Sequence, residues 1–214
     1  MKYKIDLHVH SRYSTDNNSD PEETIVRAIE LGLHGIAFTE HYYYAASEPI
    51  EALKEKYRDS IMIFRGVEFS TVEGHCLVFG ADTDKIGVKH APVADIVRFV
   101  NRARGVVIPS HPYRPGTSLG DLVRTVAGIA GLEGYNGANM HDFNRNAVAA
   151  AKELNLPYTG GSDAHAPREV GSCYTEFQEA VTYDTFIDLL KKGNYQGVDT
   201  RKISKMISLK RGAS

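Results

Sequence analysis

Cysteine is scarce in this chain of 214 residues: Cys76 and Cys173 are the only two. Two thiols so far apart exclude a disulfide framework and a cysteine-type zinc site, and both read as buried small hydrophobes. Long apolar runs are missing as well. No stretch is long enough to span a bilayer, and Met1-Lys2-Tyr3-Lys4-Ile5-Asp6 leads straight into acidic and histidine residues rather than an apolar signal core. A cytoplasmic protein without a membrane partner is expected. Charge of one sign is in little surplus, since 25 Lys and Arg stand against 27 Asp and Glu for a net charge of −2. Such a balance gives no general grip on a nucleic-acid backbone, which argues against binding of long nucleic acid but leaves a nucleotide or short oligonucleotide open as substrate. No repeat or low-complexity tract divides the chain, and its length suits one buried core, so a single domain is expected. Nothing in the sequence specifies the oligomeric state.

What the chain does contain is histidine at ordered places. Tyr3 to Leu7 reads as a short strand, and the Asp6-Leu7-His8-Val9-His10 stretch puts two imidazoles on one face, because side chains alternate along a strand. Both can reach one ion. A polar loop from Ser11 to Ser19 contains Asp16, after which Asp20-Pro21-Glu22-Glu23 supplies a cap, a proline at the first helical position and two first-turn acids. A helix with Ile25, Ile29 and Leu33 as its apolar stripe follows, ending at Gly32 or Gly35. Gly35 to Thr39 is then a strand delivering Glu40 and His41; Pro49 to Arg58 is a helix, and Ser60 to Val67 a strand ending at Glu68.

Six residues separate Glu68 from His75, too few for a helical crossover, so the two must be close. His75 to Phe79 continues as a strand, Ala94 to Arg104 as a helix with Ile96, Val97 and Val100 inward, and Gly105 to Ser110 as a strand running into His111. A helix over Leu119 to Val126, a strand over Gly131 to Tyr135 and an alanine-rich helix over Asp142 to Leu154 precede Gly160-Gly161-Ser162-Asp163-Ala164-His165. A strand near Thr175 to Phe177 and a helix from Tyr183 to Lys192 complete the series. The alternation predicts an α/β architecture with a mostly parallel sheet or barrel.

Strand after strand ends on a residue able to bind metal: His8 and His10, then His41, Glu68, His111, and finally Asp163 with His165. In parallel α/β folds those ends converge on one face. With His75 and Asp16 they make nine donors, more than one zinc-type ion can use, so two or three divalent ions are expected. Imidazole with carboxylate suits Zn, Mn or Fe. Glu68, with histidines on both sides in the sequence, is the candidate bridge between ions. His34, His90 and His141 read as solvated surface residues.

These residues carry a resemblance. Asp6-Leu7-His8-Val9-His10, Thr39-Glu40-His41, Gly66-Val67-Glu68-Phe69-Ser70, Ser110-His111-Pro112 and Gly161-Ser162-Asp163-Ala164-His165 resemble the motif signature of the polymerase and histidinol phosphatase (PHP) family of phosphoesterases. Where family members commonly have Asp before the second-motif histidine, this chain has Glu40. The resemblance implies a distorted (β/α)7 TIM-like barrel over residues 1–200, including a PHP-associated segment over 136–198, with a trinuclear metal site at the rim. It implies one ion held by His8, His10, Glu68 and Asp163, a second by Glu68, His75 and His111, and a third by Asp16, His41 and His165.

Paired ions of this kind support phosphate-ester hydrolysis by a metal-bridging hydroxide that attacks phosphorus. The expected substrate is a small phosphorylated metabolite or nucleotide, as a mono- or diester. Asp163, Glu68 and His10 are the expected catalytic residues, with Asp163 or an adjacent histidine moving the proton. Arg114 and Arg168, each three residues past a rim histidine, are the expected substrate-binding groups. Tyr13, Tyr113 and the Tyr42-Tyr43-Tyr44 run are candidate stacking residues, and Asn139 to Asn146 a candidate substrate-shaping stretch. A basic tail over 201–214, with Arg201, Lys202, Lys205, Lys210 and Arg211, reads as a solvated helix or an attractor of nucleotides. Two other functions compete: ester or amide hydrolysis of the amidohydrolase type, and a non-catalytic metal-stabilised accessory module.

Overall fold

Why the chain folds around its first strand follows from that strand's two faces. In β1 (Tyr3–Val9), Ile5, Leu7 and Val9 are fully buried and so are Asp6 and His8, a composition that suits only a central position with apolar packing on one side and a polar interior on the other. A computed structural model describes residues 2–201 of the chain. The tail residues Lys202, Lys205, Lys210 and Arg211 lie outside them.

The helix α1 (Pro21–Glu30) starts as the sequence predicts: Asp20 accepts from the Glu22 N–H at 2.8 Å, Pro21 sits at the first position and Glu22 and Glu23 fill the first turn. The strands β2 (Gly35–Phe38) and β3 (Met62–Ser70) flank α2 (Ile50–Lys56), and β4 (His75–Phe79) returns beside β3. α3 (Val93–Arg102) buries Val93, Ile96, Val97 and Val100, and β5 (Val106–Pro109) follows. The rest of the chain comprises β6 (Leu132–Asn136), α4 (His141–Glu153), β7 (Tyr158–Gly161), β8 (Cys173–Phe177), α5 (Phe186–Lys192) and β9 (Tyr195–Asp199).

Seven strands form one sheet in the order β5-β4-β3-β2-β1-β8-β9, and β6 and β7 form a parallel pair. The sheet is mixed rather than mostly parallel. β1, β2 and β3 run together, but β4 is antiparallel to both β3 and β5, and β8 is antiparallel to β1 and β9. The physical reason is the short link after Ser70, which pairs directly with His75: a hairpin can reverse a strand where a parallel neighbour needs a crossover. The stretch expected as a helix over Leu119 to Val126 is a single 3-10 segment, Gly120–Arg124.

One edge of β1 is shared. Its first half pairs with β8 from Tyr3↔Phe177 to Ile5↔Thr175; its second half meets the end of β7, where Asp163 N–H donates to His8 O at 2.7 Å and His10 N–H to Ala164 O at 3.0 Å. Asp6 fills the fork, accepting from Ser162 N–H at 2.8 Å and Gly171 N–H at 2.9 Å. Burial pushes its carboxyl up to about 6, although those donors hold it down. The close approach requires glycine: a Cβ on Gly161 would stand 2.4 Å from His8 Cβ, and one on Gly160 2.4 Å from Tyr174 O.

Candidate metal centre

His8 and His10 emerge on one face of β1 with both rings buried, and their Nε2 atoms lie 3.1 Å apart. Each Nε2 is 3.4 Å from Glu68 Oε2, at the far end of β3, and 3.4 Å from Asp163 Oδ1, just past β7. Two ring nitrogens thus share the same two carboxylate oxygens, a donor set of the kind that holds zinc.

Glu68 faces two ways. Its Oε2 points at His8, His10 and, at 3.3 Å, His41 Nδ1; its Oε1 lies 2.8 Å from His111 Nε2 and 3.3 Å from His75 Nδ1 and accepts from Ser110 Oγ at 2.8 Å. A third group forms on the loop side, where Asp16 Oδ2 is 3.2 Å from His41 Nε2 and 3.3 Å from His165 Nε2. All nine expected donors thus lie in one continuous cluster. Its deep end is buried, and Asp16 and His165 are its open side, with side chains 47% and 37% exposed.

The donor set fits a cation because the hydrogen-bond network assigns ring protons away from the centre. His8 Nδ1 is 2.8 Å from Glu133 Oε1, a group that only accepts, so the proton sits on Nδ1 and Nε2 offers its lone pair inward. His165 Nδ1 faces the Asp163 carbonyl at 3.0 Å with the same result. His10 Nδ1 lies 3.2 Å from Ser14 Oγ, whose own proton goes to Glu40 at 2.6 Å and which also accepts from His41 N–H at 3.1 Å, leaving it only lone pairs for His10. Two further ring nitrogens, His41 Nδ1 and His111 Nδ1, are buried without a hydrogen-bond partner.

Electrostatics agree. Burial opposes charge on His8 and His10, yet the facing carboxylates outweigh it: Asp163, Glu133 and Glu68 raise His8 well above the imidazole range, and Asp163 and Glu68 raise His10 to about 9. Burial likewise works against ionisation of Glu68 and Asp163, and their histidine neighbours hold both well below the carboxylate range. Burial pushes His41 down to about 4. The interior demands positive charge at the Nε2 face, and a divalent ion meets that demand as protons leave. Two of the donors sit on strained main chain, His111 at φ 33° and Asp163 at φ 53°, conformations that non-glycine residues hold only where surroundings over-determine them.

Two supporting residues are not apparent from the sequence motifs, and a third, Glu40, lies within one of them without a role assigned to it. Glu133 and Asn136 are buried at β6, and Glu40 is buried against Ser11 and Ser14. A lone acid inside the otherwise apolar Leu132-Glu133-Gly134-Tyr135 strand was the available signal for Glu133. Arg114 is drawn into the cluster: its guanidinium donates to Asp163 Oδ2 at 2.5 Å, Asn136 Oδ1 at 2.8 Å and Asn139 Oδ1 at 2.8 Å. Arg168 is 82% exposed and touches only Glu169 at 3.4 Å. It borders a cleft of about 460 Å3 that reaches Asp163 and His165 and is also lined by Gly137, Ala138 and Ser172.

Other expectations are corrected. Tyr13 and Tyr113 pack against the hydrophobic core rather than standing free to stack a base. Tyr42, beside His41, and the exposed Tyr43 remain near the rim, both under Lys89. Asn139 and Asn144 are buried and bonded to each other, so the start of α4 is a brace more than a substrate surface. His34 is half-buried against Tyr3 and accepts from Lys4 N–H, not solvated. Arg201 is bound to Asp199 and to the Gly137 and Asn139 carbonyls, which removes it from a solvated tail.

Comparison with known proteins places this geometry. A family model described as PHP-associated matches residues 141–195. Over 77 residues the chain is 32% identical to the histidinol-phosphatase of Lactococcus lactis subsp. lactis (strain IL1403), covering 30% of this chain and 29% of that protein. The chain spans less than a third of the length of the curated relatives it matches. In three dimensions it is similar to PsfC from Pseudomonas syringae PB-5123, with a TM-score of 0.72 at 20% identity over 93% of this chain and 92% of that one. It is also similar to the lesion-specific endonuclease PfuEndoQ from Pyrococcus furiosus, with a TM-score of 0.68 at 20% identity over 92% of this chain and 57% of that one. At that identity the likeness is one of fold.

Proposed function

We infer that this chain, a member of the polymerase and histidinol phosphatase family, is a divalent-metal-dependent hydrolase of phosphate esters acting on a small phosphorylated metabolite or nucleotide. The observation that carries the reading is Glu68, whose two oxygens each face a separate set of imidazoles. The histidinol-phosphatase relative supports the phosphate-ester class. We also read the arc β1 to β5 and the β6–β7 pair as the wall of a distorted (β/α)7 barrel, joined where Ala130 N–H meets Val107 O and where Asp163 N–H meets His8 O.

In this reading His8, His10, Glu68 and Asp163 would hold one ion, Glu68, His75 and His111 a second, and Asp16, His41 and His165 a third. Such ions supply Lewis acidity, lower the pKa of water and neutralise phosphate oxygens. The protein's own groups do the rest. Arg168 offers its guanidinium to the phosphate, and the cleft beside it receives the leaving group. Asp163, kept ionised by His8 and His10, presents Oδ1 to the centre and is placed to move a proton, while Arg114 and Asn136 hold Oδ2 and keep the carboxylate aimed. His10, buried and backed by Ser14, would be a fixed ligand of the first ion.

The test compares p-nitrophenyl phosphate, bis(p-nitrophenyl) phosphate and p-nitrophenyl acetate with the protein loaded with Mn or Zn. Turnover of either phosphate, abolished by chelator, is expected. Cleavage of the acetate alone overturns the reading in favour of an amidohydrolase, and turnover of none by fully loaded protein overturns it in favour of an accessory module.

A further inference from the structure

Glu133 stands behind two of the ion sites at once. It is the second residue of β6 with its side chain fully buried, and no lysine or arginine is paired with it among the described residues. Its Oε1 is 2.8 Å from His8 Nδ1. Its Oε2 accepts from the His111 main-chain N–H at 2.7 Å and from Asn136 Nδ2 at 3.0 Å. The first contact fixes a ring and the second fixes a bend, since His111 sits at φ 33°, where its own steric preferences would not keep it. His8 belongs to the group with His10, Glu68 and Asp163, whereas His111 belongs to the group on the other oxygen of Glu68. Apart from Ser110, which bonds to the shared Glu68 itself, no other side chain hydrogen-bonds to a ligand of each group from outside the cluster among the described residues.

We propose that Glu133 is a positioning residue that couples the two Glu68-bridged ion sites, orienting His8 for one ion and the His111 turn for the other through a single carboxylate. The proposal rests on the reading of this cluster as a metal centre and not on any particular substrate. A carboxylate is required because both contacts demand an acceptor. Glutamine has the same shape but only one acceptor oxygen. If its amide NH2 faces His8, the ring takes the opposite tautomer and turns an Nε2–H toward the ion; if it faces His111, two donors oppose each other. Either way one of the two sites is disturbed directly, and the ring or turn that shifts carries Glu68 with it. Groups behind metal-binding histidines typically contribute 10- to 100-fold in affinity or activity.

The experiment uses the full chain, stripped and titrated with Zn2+ against a chromophoric chelator, which needs no substrate. For Glu133→Gln both tight-binding equivalents are expected to weaken about 10- to 100-fold, while circular dichroism of the stripped protein matches wild type. Native affinity at both equivalents overturns the proposal; loss of one equivalent with the other intact overturns the coupling. Glu133→Asp, which keeps the charge but reaches only one partner, is expected to weaken binding less than Glu133→Gln, and an equal or greater loss overturns the acceptor argument. Should either variant fail to fold, 15N imidazole spectra of zinc-loaded wild type decide: His8 is expected as the Nδ1–H tautomer with Nε2 bound, and the reverse tautomer overturns the proposal. Failure of the phosphatase assay on wild type leaves these readouts in place, so the two conclusions fail separately.

Discussion

Replacing Glu68 by glutamine tests whether one carboxylate serves two ions. The side chain is 1% exposed, so the isosteric change keeps packing while removing the charge and one acceptor. Its one remaining oxygen is uncharged and can serve only one group: kept by His8, His10 and Asp163 it is a weaker fourth donor, and the group with His75 and His111 is left with two imidazoles and no carboxylate. Two neutral donors do not hold an ion at micromolar concentration in competition with water, so the second site empties and the first weakens. The consequence for stability follows from mass action. An ion present at 100 times its dissociation constant stabilises the fold by about 2.7 kcal/mol, so the two ions facing Glu68 give about 5.4 kcal/mol, apart from a third ion's share that wild type and variant have in common. In a domain of this size each kcal/mol moves the melting temperature by about 2 to 4 °C, which makes about 11 to 22 °C for wild type between stripped and zinc-loaded states. The Glu68→Gln protein is expected to gain at most one ion's share, about 5 to 11 °C. Thermal unfolding followed by circular dichroism, with elemental analysis of the same samples, reads both quantities, and each protein's stripped form is its own reference. A Glu68→Gln variant that keeps the wild-type number of ions and the full thermal gain refutes the bridging assignment.

Two further substitutions probe the substrate side and the strand contact. Arg168→Ala removes an exposed guanidinium with a single neighbour at 3.4 Å, so stability should change by less than about 0.5 kcal/mol while KM for an aryl phosphate rises about tenfold or more at nearly constant kcat. Steady-state kinetics with an unchanged KM would remove Arg168 from the substrate site. Gly161→Ala places a methyl where only 2.4 Å separates it from His8 Cβ and 3.0 Å from Glu133 Oε1, and overpacking of that kind costs about 1 to 3 kcal/mol. A melting temperature lower by about 2 to 12 °C and reduced zinc content are expected; wild-type values for both would show that β7 can shift away from β1 without cost.

The parts legible in the sequence and the parts that were not differ in a physical way. A histidine at the end of an apolar strand is conspicuous because its chemistry contrasts with the strand that carries it, and convergence of strand ends does the rest: His8, His41, Glu68, His111 and Asp163 could be assembled from local spacing and one topological rule. The direction of β4 was present in the same data, for a six-residue gap that forces His75 toward Glu68 also forces a hairpin, and a hairpin makes the neighbour antiparallel. Glu133 was hidden for the opposite reason. An acid within a short strand has the same local pattern whether it faces solvent or a buried imidazole, and only the tertiary arrangement that carries β6 against the end of β1 distinguishes them. The same holds for Arg114. Spacing alone brought it to the rim, but its placement against Asp163 Oδ2 depends on Asn136 and Asn139, residues with no metal-binding chemistry of their own. Residues that touch the ions carry a chemical signature in the sequence, while those that hold them in place are defined by geometry, which is why changing Glu133 discriminates between a preorganised centre and a loose cluster of donors more sharply than changing any one histidine.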